Sequence, residues 1–223
     1  MTSIARVLTP PRGELVAQVI PRNGFYAYGL PRSLPLRCRM RTWWLELTLR
    51  LRVAVLGLWR GLTSGLGVFA VGRLYASVLR ADGRIEHLGL LSTRLVTDAG
   101  VAFLVDDWDN NGQDISTLNY HGCGTGVGAE AVGDTALGTE STTALNPDST
   151  RATGTRSQPT ANQYRTVGTL TFDASAAITE HGIFSQAATG GGTLWDRSVF
   201  AAINVANGDS IQFTYTCTFS SGG

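Results

Sequence analysis

The chain contains no lysine; all eighteen of its basic residues are arginine. Genomic base composition is the simplest reason, although arginine also brings a rigid fork suited to partly buried, two-pronged contacts. Cysteine is scarce: Cys38, Cys123 and Cys217 form no CxxC pair, so neither a disulfide framework nor a zinc knuckle is indicated. Cys217 falls at an alternating apolar position and is expected to be a buried free thiol. Charged residues make up only 16% of the chain, against a usual quarter or so, which suits a protein covered by neighbours. Long apolar runs are missing too. The stretch 51–71 is interrupted by Arg52 and Arg60, leaving no run of about 18 uncharged residues to span a bilayer. The N-terminus lacks a charged region followed by an uninterrupted apolar one, so no secretory signal is expected. GxSxG, HExxH and the phosphate-cradling GxxxxGK are all absent, and nothing in the motif inventory supports an enzyme.

What is present is glycine, 27 residues of it, together with many threonines, a composition of turns and strands rather than long helices. The formal net charge of +1 hides a division along the chain. Residues 1–80 hold twelve arginines against two acids, a net of +10, and residues 81–223 hold six arginines against fifteen acids, a net of −9. The two parts should attract each other within or between chains.

Five of the seven prolines (Pro10, Pro11, Pro21, Pro31, Pro35) fall in the first 35 residues, spaced so that neither a long helix nor a central strand fits. Residues 1–44 therefore read as an extended arm rich in proline and arginine. The body, residues 45–223, opens with Leu45, Leu47, Leu49, Leu51, Val53 and Val55 in alternation, the period of a half-buried strand, with a helix as rival because leucine and arginine both favour helices. Segments 74–80 and 84–90 flank Asp82-Gly83, a hairpin signal suggesting a type I′ turn. Thr97 or Asp98 caps a short helix over 98–108, with Val101, Leu104, Val105 and Trp108 spaced for one buried face. Strands are expected over 163–173, 176–184, 193–204 and 210–219; in the last, Ile211, Phe213, Tyr215, Cys217 and Phe219 alternate with polar residues. Residues 124–160 read as a long polar loop region, and loops of such length are usually functional contacts. The resulting fold class is mainly β: an antiparallel β-sandwich, jelly-roll-like, with one short helix and an extended N-terminal arm.

Two motifs carry possible chemistry. Gly122-Cys-Gly124-Thr-Gly126-Val-Gly128-Ala129 contains the outline of a dinucleotide-binding turn, but no amphipathic helix follows to meet a pyrophosphate, and a glycine-shaped loop is the better reading. Asp107, Asp109, Asn111 and Asp114 match the first half of a calcium-binding loop, with Gly112 at the turn; the second half fails, because Leu118 stands where a bidentate glutamate belongs. Calcium is the one cofactor candidate. Glu180 and His181 are adjacent on an expected strand, so they point to opposite faces and cannot work as a side-by-side pair.

The basic cluster Arg37, Arg39 and Arg41, beside Trp43 and Trp44, together with Arg22, Arg32, Arg50 and Arg52, forms the expected protein interface. Such arginines could contact phosphates, yet the same chemistry serves an arm lying on an acidic protein lattice, which is the preferred reading, with nucleic acid not expected.

Residues 120–219 resemble a family of tailed-bacteriophage virion proteins of the β-sandwich head-decoration or tail-fibre type. The matching stretches are Tyr120-His-Gly-Cys-Gly-Thr-Gly126, Ala131-Val-Gly-Asp-Thr-Ala-Leu137, Arg151-Ala-Thr-Gly-Thr155, Tyr164-Arg-Thr-Val167, Ile178-Thr-Glu-His-Gly-Ile-Phe184, Thr193-Leu-Trp-Asp-Arg-Ser-Val-Phe200 and Gly208-Asp-Ser-Ile-Gln-Phe-Thr-Tyr-Thr216, with Leu91-Ser-Thr-Arg-Leu-Val-Thr-Asp-Ala-Gly100 before them. The resemblance does not extend to the first 80 residues. It implies a sandwich and a virion role and carries no catalytic residues; the charge division and the proline-spaced arm then lead to the expectation of a capsid decoration or cement protein. A tail-associated fibre or receptor-binding adaptor is the alternative. The expected partners are the major capsid protein lattice or other virion proteins, with the chain as a homo-oligomer (a trimer among the candidate states), located in the virion after assembly in the host cytoplasm.

Overall fold

The computed structural model describes residues 68–220. The arm and the alternating 45–55 segment, with all nine arginine and tryptophan interface candidates, lie outside the described residues. Within them the chain forms a mainly β, sandwich-like fold of two antiparallel sheets and a single α-helix.

The first sheet has five strands in the order β2 (Ile85–Leu95), β1 (Phe69–Leu79), β9 (Ser210–Ser220), β6 (Gln163–Thr171) and β5 (Thr155–Ser157). The second has four: β4 (Ala152–Thr153), β3 (Tyr120–Gly124), β7 (Ala176–Phe184) and β8 (Leu194–Val205). The central strand β9 holds together elements far apart in sequence, pairing Tyr215 with Leu74 on one side and Thr166 on the other. Leu74, Val78, Leu170, Ile211, Phe213 and Tyr215 from the first sheet meet Cys123, Ile178, Ile183, Trp195, Phe200 and Ile203 from the second in one core. Each such side chain withdrawn from water contributes roughly 1.5–3 kcal/mol.

The expected hairpin is the end of a longer pair, with Leu79 opposite Ile85. Its turn differs from the expectation. Of the turn's residues only Gly83 has a positive φ, +84°, and the Arg80 N–H donates to the Arg84 carbonyl while the Gly83 N–H donates to the Arg80 carbonyl. This is a three-residue loop with its left-handed residue at glycine rather than a two-residue type I′ turn. Strands β6 to β9 fall on the four expected segments, with β7 matching 176–184 end to end.

Helix α1 spans Asp98–Trp108, with Thr97 as its cap: the hydroxyl oxygen accepts from the Gly100 N–H at 3.0 Å and the O–H donates to the Leu194 carbonyl at 2.5 Å. The buried face is a correction. Gly100 and Phe103 are buried and Leu104 packs half-buried against the main core as expected, whereas Val101, Val105 and Trp108 are 46%, 52% and 78% exposed. The helix backbone lies so close on β8 that a Cβ at Gly100 would sit 2.9 Å from the Trp195 ring and 3.0 Å from its Cα. Close backbone approach at a glycine therefore chose the face, not the larger apolar stripe.

Residues 124–160 hold the two short strands β4 and β5; from 125 to 141 the chain forms a covering layer on the outer face of the second sheet, and Leu145 then returns to the main core and pairs with Phe172. Leu137 packs there against Phe184 and Leu194, a small core separate from the main one. Strand β7 is thus buried on both faces, from Ile178 through Phe184.

Candidate functional site

Strand alternation sends Glu180 outward from β7, under the covering layer, and His181 inward to the main core, as their adjacency required. Glu180 is fully buried, and Arg197 on the neighbouring strand is 6% exposed. The Glu180 carboxylate accepts from the backbone N–H groups of Gly126 (2.9 Å), Thr139 (2.7 Å) and Gly138 (2.9 Å), and from Arg197 Nε and Nη2 at 3.0 and 2.8 Å. Burial pushes this carboxyl up, but the amides of Thr139 and Gly138, with Arg197, more than offset it and hold the group below its ordinary value. Arg197 also bridges to Asp134 at 2.9 Å and donates to the Gly128 carbonyl. Glu180 thereby fastens three points of the layer and Arg197 two more.

A second fastening lies at the far end of the layer. Arg151, 1% exposed, makes a two-pronged pair with Glu140 at 2.6 and 3.0 Å and donates from Nη1 to the carbonyls of Gln186 and Gly191. Its guanidinium stacks 3.4 Å above the centre of the Phe184 ring. The glycine string is shaped by these contacts. A Cβ at Gly124 would lie 2.2 Å from the Thr139 carbonyl oxygen, and one at Gly126 would lie 2.4 Å from Glu180 Oε1. The motif makes room for a buried carboxylate.

On the inner face, His121 of β3 and His181 of β7 are fully buried and hydrogen-bonded to each other, Nδ1 to Nε2, at 3.0 Å. His121 Nε2 meets the Thr166 hydroxyl at 3.1 Å, and its ring fills space left open by Gly154 and Gly168. Burial lowers His121 to about 3 and His181 well below its ordinary value, so both stay neutral. Asp196, equally buried, is raised to about 7 by desolvation, against the opposing Ser198 hydroxyl. Burial also pushes the thiols of Cys123 and Cys217 up to about 12; both are free and buried, as expected for Cys217. These groups face the core, out of reach of a substrate in solution.

The acidic loop does not gather its carboxylates. Among the described residues no three His, Cys, Asp or Glu side chains converge on a point that could hold a metal ion. Asp109 caps the C-terminus of α1, Asp107 accepts from the Ile115 N–H at 3.2 Å, and Asp114 caps a 3₁₀ turn by accepting from the Ser116 N–H at 2.8 Å. The carboxylates of Asp107 and Asp114 serve the backbone instead, and Asp109 caps through its backbone N–H. A recess beside Leu145, Pro147, Arg151 and Leu170 has a volume of about 60 Å³, far below the roughly 300 Å³ of a small-ligand pocket. Among the described residues no helix is long and apolar enough to cross a membrane.

Arg197, Arg151 and Glu140 were not singled out in the sequence, and Glu180 was weighed there only as a neighbour of His181. The available signal was a charge inside each of two otherwise apolar strands, Thr-Glu-His-Gly in β7 and Trp-Asp-Arg-Ser in β8; such charges are rarely buried unless paired. No protein-family model, curated protein or solved structure matches the chain.

Proposed function

We propose that the protein is a structural component of a tailed-phage virion, a capsid decoration or cement protein whose body sits on the head shell while its basic arm runs across neighbouring subunits. The observation that carries this reading is where the acid lies. Residues 95–150 hold nine acids and no arginine; Glu130, Asp134 and Glu140 are engaged by Arg94, Arg197 and Arg151, which fasten the covering layer to the sandwich, and the other six lie outside these ion pairs on α1, the loop after it and the segment beyond the layer. A rigid acidic surface and a net charge of +10 in the first 80 residues are complementary parts of a lattice-forming subunit. The resemblance of residues 120–219 to virion proteins supports the same role. The test is binding to empty capsids: the full chain should bind, and removing residues 1–40 should weaken binding at least tenfold. Unchanged binding refutes the arm's part in it.

The alternative, a tail-associated fibre or receptor-binding adaptor, draws on the same layer, whose outward residues include Val127 and Val132, 78% and 52% exposed. Binding of the purified protein to host cells, with none to capsids, decides for it.

A further inference from the structure

The outward face of α1 is built for a basic and apolar partner. Val101, Val105 and Trp108 recur at the i, i+4, i+7 spacing of a single helical stripe, and all three are exposed, Trp108 to 78%. At the helix start the Asp98 N–H donates to the carbonyl of Val132, a further apolar residue that is 52% exposed. The charges beside the stripe run against the helix. Asp106, Asp107 and Asp109 crowd the C-terminal end, and the last turn carries no basic residue. Acids there face the negative end of the helix dipole, which is unfavourable unless a cation lies over them. The ion pairs of the described residues involve Glu130, Asp134 and Glu140 from the covering layer but none of Asp98, Asp106, Asp107 or Asp109. An exposed tryptophan flanked by unneutralised carboxylates is thus presented by a single chain.

We infer that this face receives residues 37–52 of a second copy of the chain. That segment carries Arg37, Arg39, Arg41, Arg50 and Arg52 against the one acid Glu46, a net of +4, with Trp43, Trp44 and four alternating leucines among them. Arginine supplies the cation missing from the helix C-terminus, and the tryptophans and leucines cover the Val101, Val105 and Trp108 stripe. Tryptophan and arginine are the residue types that dominate binding at the centres of interfaces. From Val101 to Trp108 the stripe is about 10 Å long, which an extended strand crosses in roughly three residues. A short alternating segment is therefore long enough. The inference deepens the proposed function by naming the receiving surface, and it rests on that reading's assignment of the arm to neighbouring subunits.

Sedimentation velocity of the full-length protein tests it. The protein should associate at low salt and dissociate at ~1 M salt, where the screening length falls to ~3 Å. Trp108→Ser should weaken association at least tenfold, as should the charge reversals Asp106→Arg with Asp109→Arg on the face, or Arg39→Asp with Arg41→Asp on the segment. The face reversals complement the helix dipole, and thermal melts of each variant separate lost association from lost folding. Mixing the two charge-reversed proteins should restore association, because each then offers the segment that the other's face accepts. A wild-type chain that stays monomeric, an assembly indifferent to Trp108→Ser, or a mixture that fails to restore association overturns the inference. Capsid binding is read separately: self-association without capsid binding removes the decoration role and leaves the interface standing.

Discussion

Replacing Glu180 with glutamine keeps the side chain's size and removes its charge from a site where everything else is arranged for a carboxylate. Five donors converge on its two oxygens, three of them backbone N–H groups and two from Arg197. A glutamine offers one acceptor oxygen and one NH2, so two or more of these donors would face another donor. Arg197, 6% exposed, would keep only Asp134 as an acidic partner. Breaking one member of a buried pair costs about 3–5 kcal/mol. At roughly 2–4 °C per kcal/mol for a protein of this size, the melting temperature should fall by about 6–20 °C. Thermal or urea unfolding followed by circular dichroism reads the global effect. Limited proteolysis reads the local one, since freed amides at Gly126, Gly138 and Thr139 should open the covering layer to cleavage. Adding Arg197→Met should cost less than the sum of the two single changes, because the pair is coupled. A Glu180→Gln protein within about 1 kcal/mol of wild type, with its layer still protected, refutes the assignment of Glu180 as the fastening point.

Acid should weaken the fold with a definite sign. Between about pH 6.5 and 4 the unfolded chain protonates His121 and His181 while the native core keeps both neutral, so stability falls as pH falls, by up to ~1.4 kcal/mol per pH unit for each. Asp196 opposes this: raised to about 7 in the fold, it contributes stability at low pH that is lost as pH rises from about 4 toward 7. Asp196→Asn should therefore steepen the acid dependence in denaturant melts across this range; an unchanged slope argues against the buried assignments. The glycine string yields a paired test. Gly126→Ala should destabilise by about 1–3 kcal/mol, since its Cβ would meet Glu180 and the Thr139 amide, whereas Gly128→Ala, with nothing within 4 Å, should stay within about 0.5 kcal/mol. Equal effects in urea melts would show that the glycines are not shaped by the carboxylate.

Strand β9 was legible because its apolar and polar residues alternate cleanly. Strands β6, β7 and β8 and the hairpin pair were legible from their bounding glycine, asparagine and aspartate residues, and α1 from Thr97 and the apolar residues after it. Strand β3 was not. Tyr-His-Gly-Cys-Gly lacks β-branched residues and reads as a loop, yet Gly122 and Gly124 are required in the strand because Glu140, Phe184 and Glu180 crowd over it. The short strands β4 and β5 were hidden inside a polar stretch for the same reason: pairing across the sheet, not local propensity, makes them strands.

What the sequence determined by itself is what depends on neighbouring residues: period-two alternation, caps, turn glycines, the opposite facing of Glu180 and His181, and the division of charge. Which face of α1 is buried, which histidines meet, and which arginine finds which carboxylate were decided only by the tertiary structure. His121 and His181 lie 60 residues apart and Glu180 accepts from Gly126 across 54. Such pairings are made when two sheets close on each other and a loop closes over one of them. Packing a buried charge or ring leaves no period in the chain, because its partners are chosen by proximity in space.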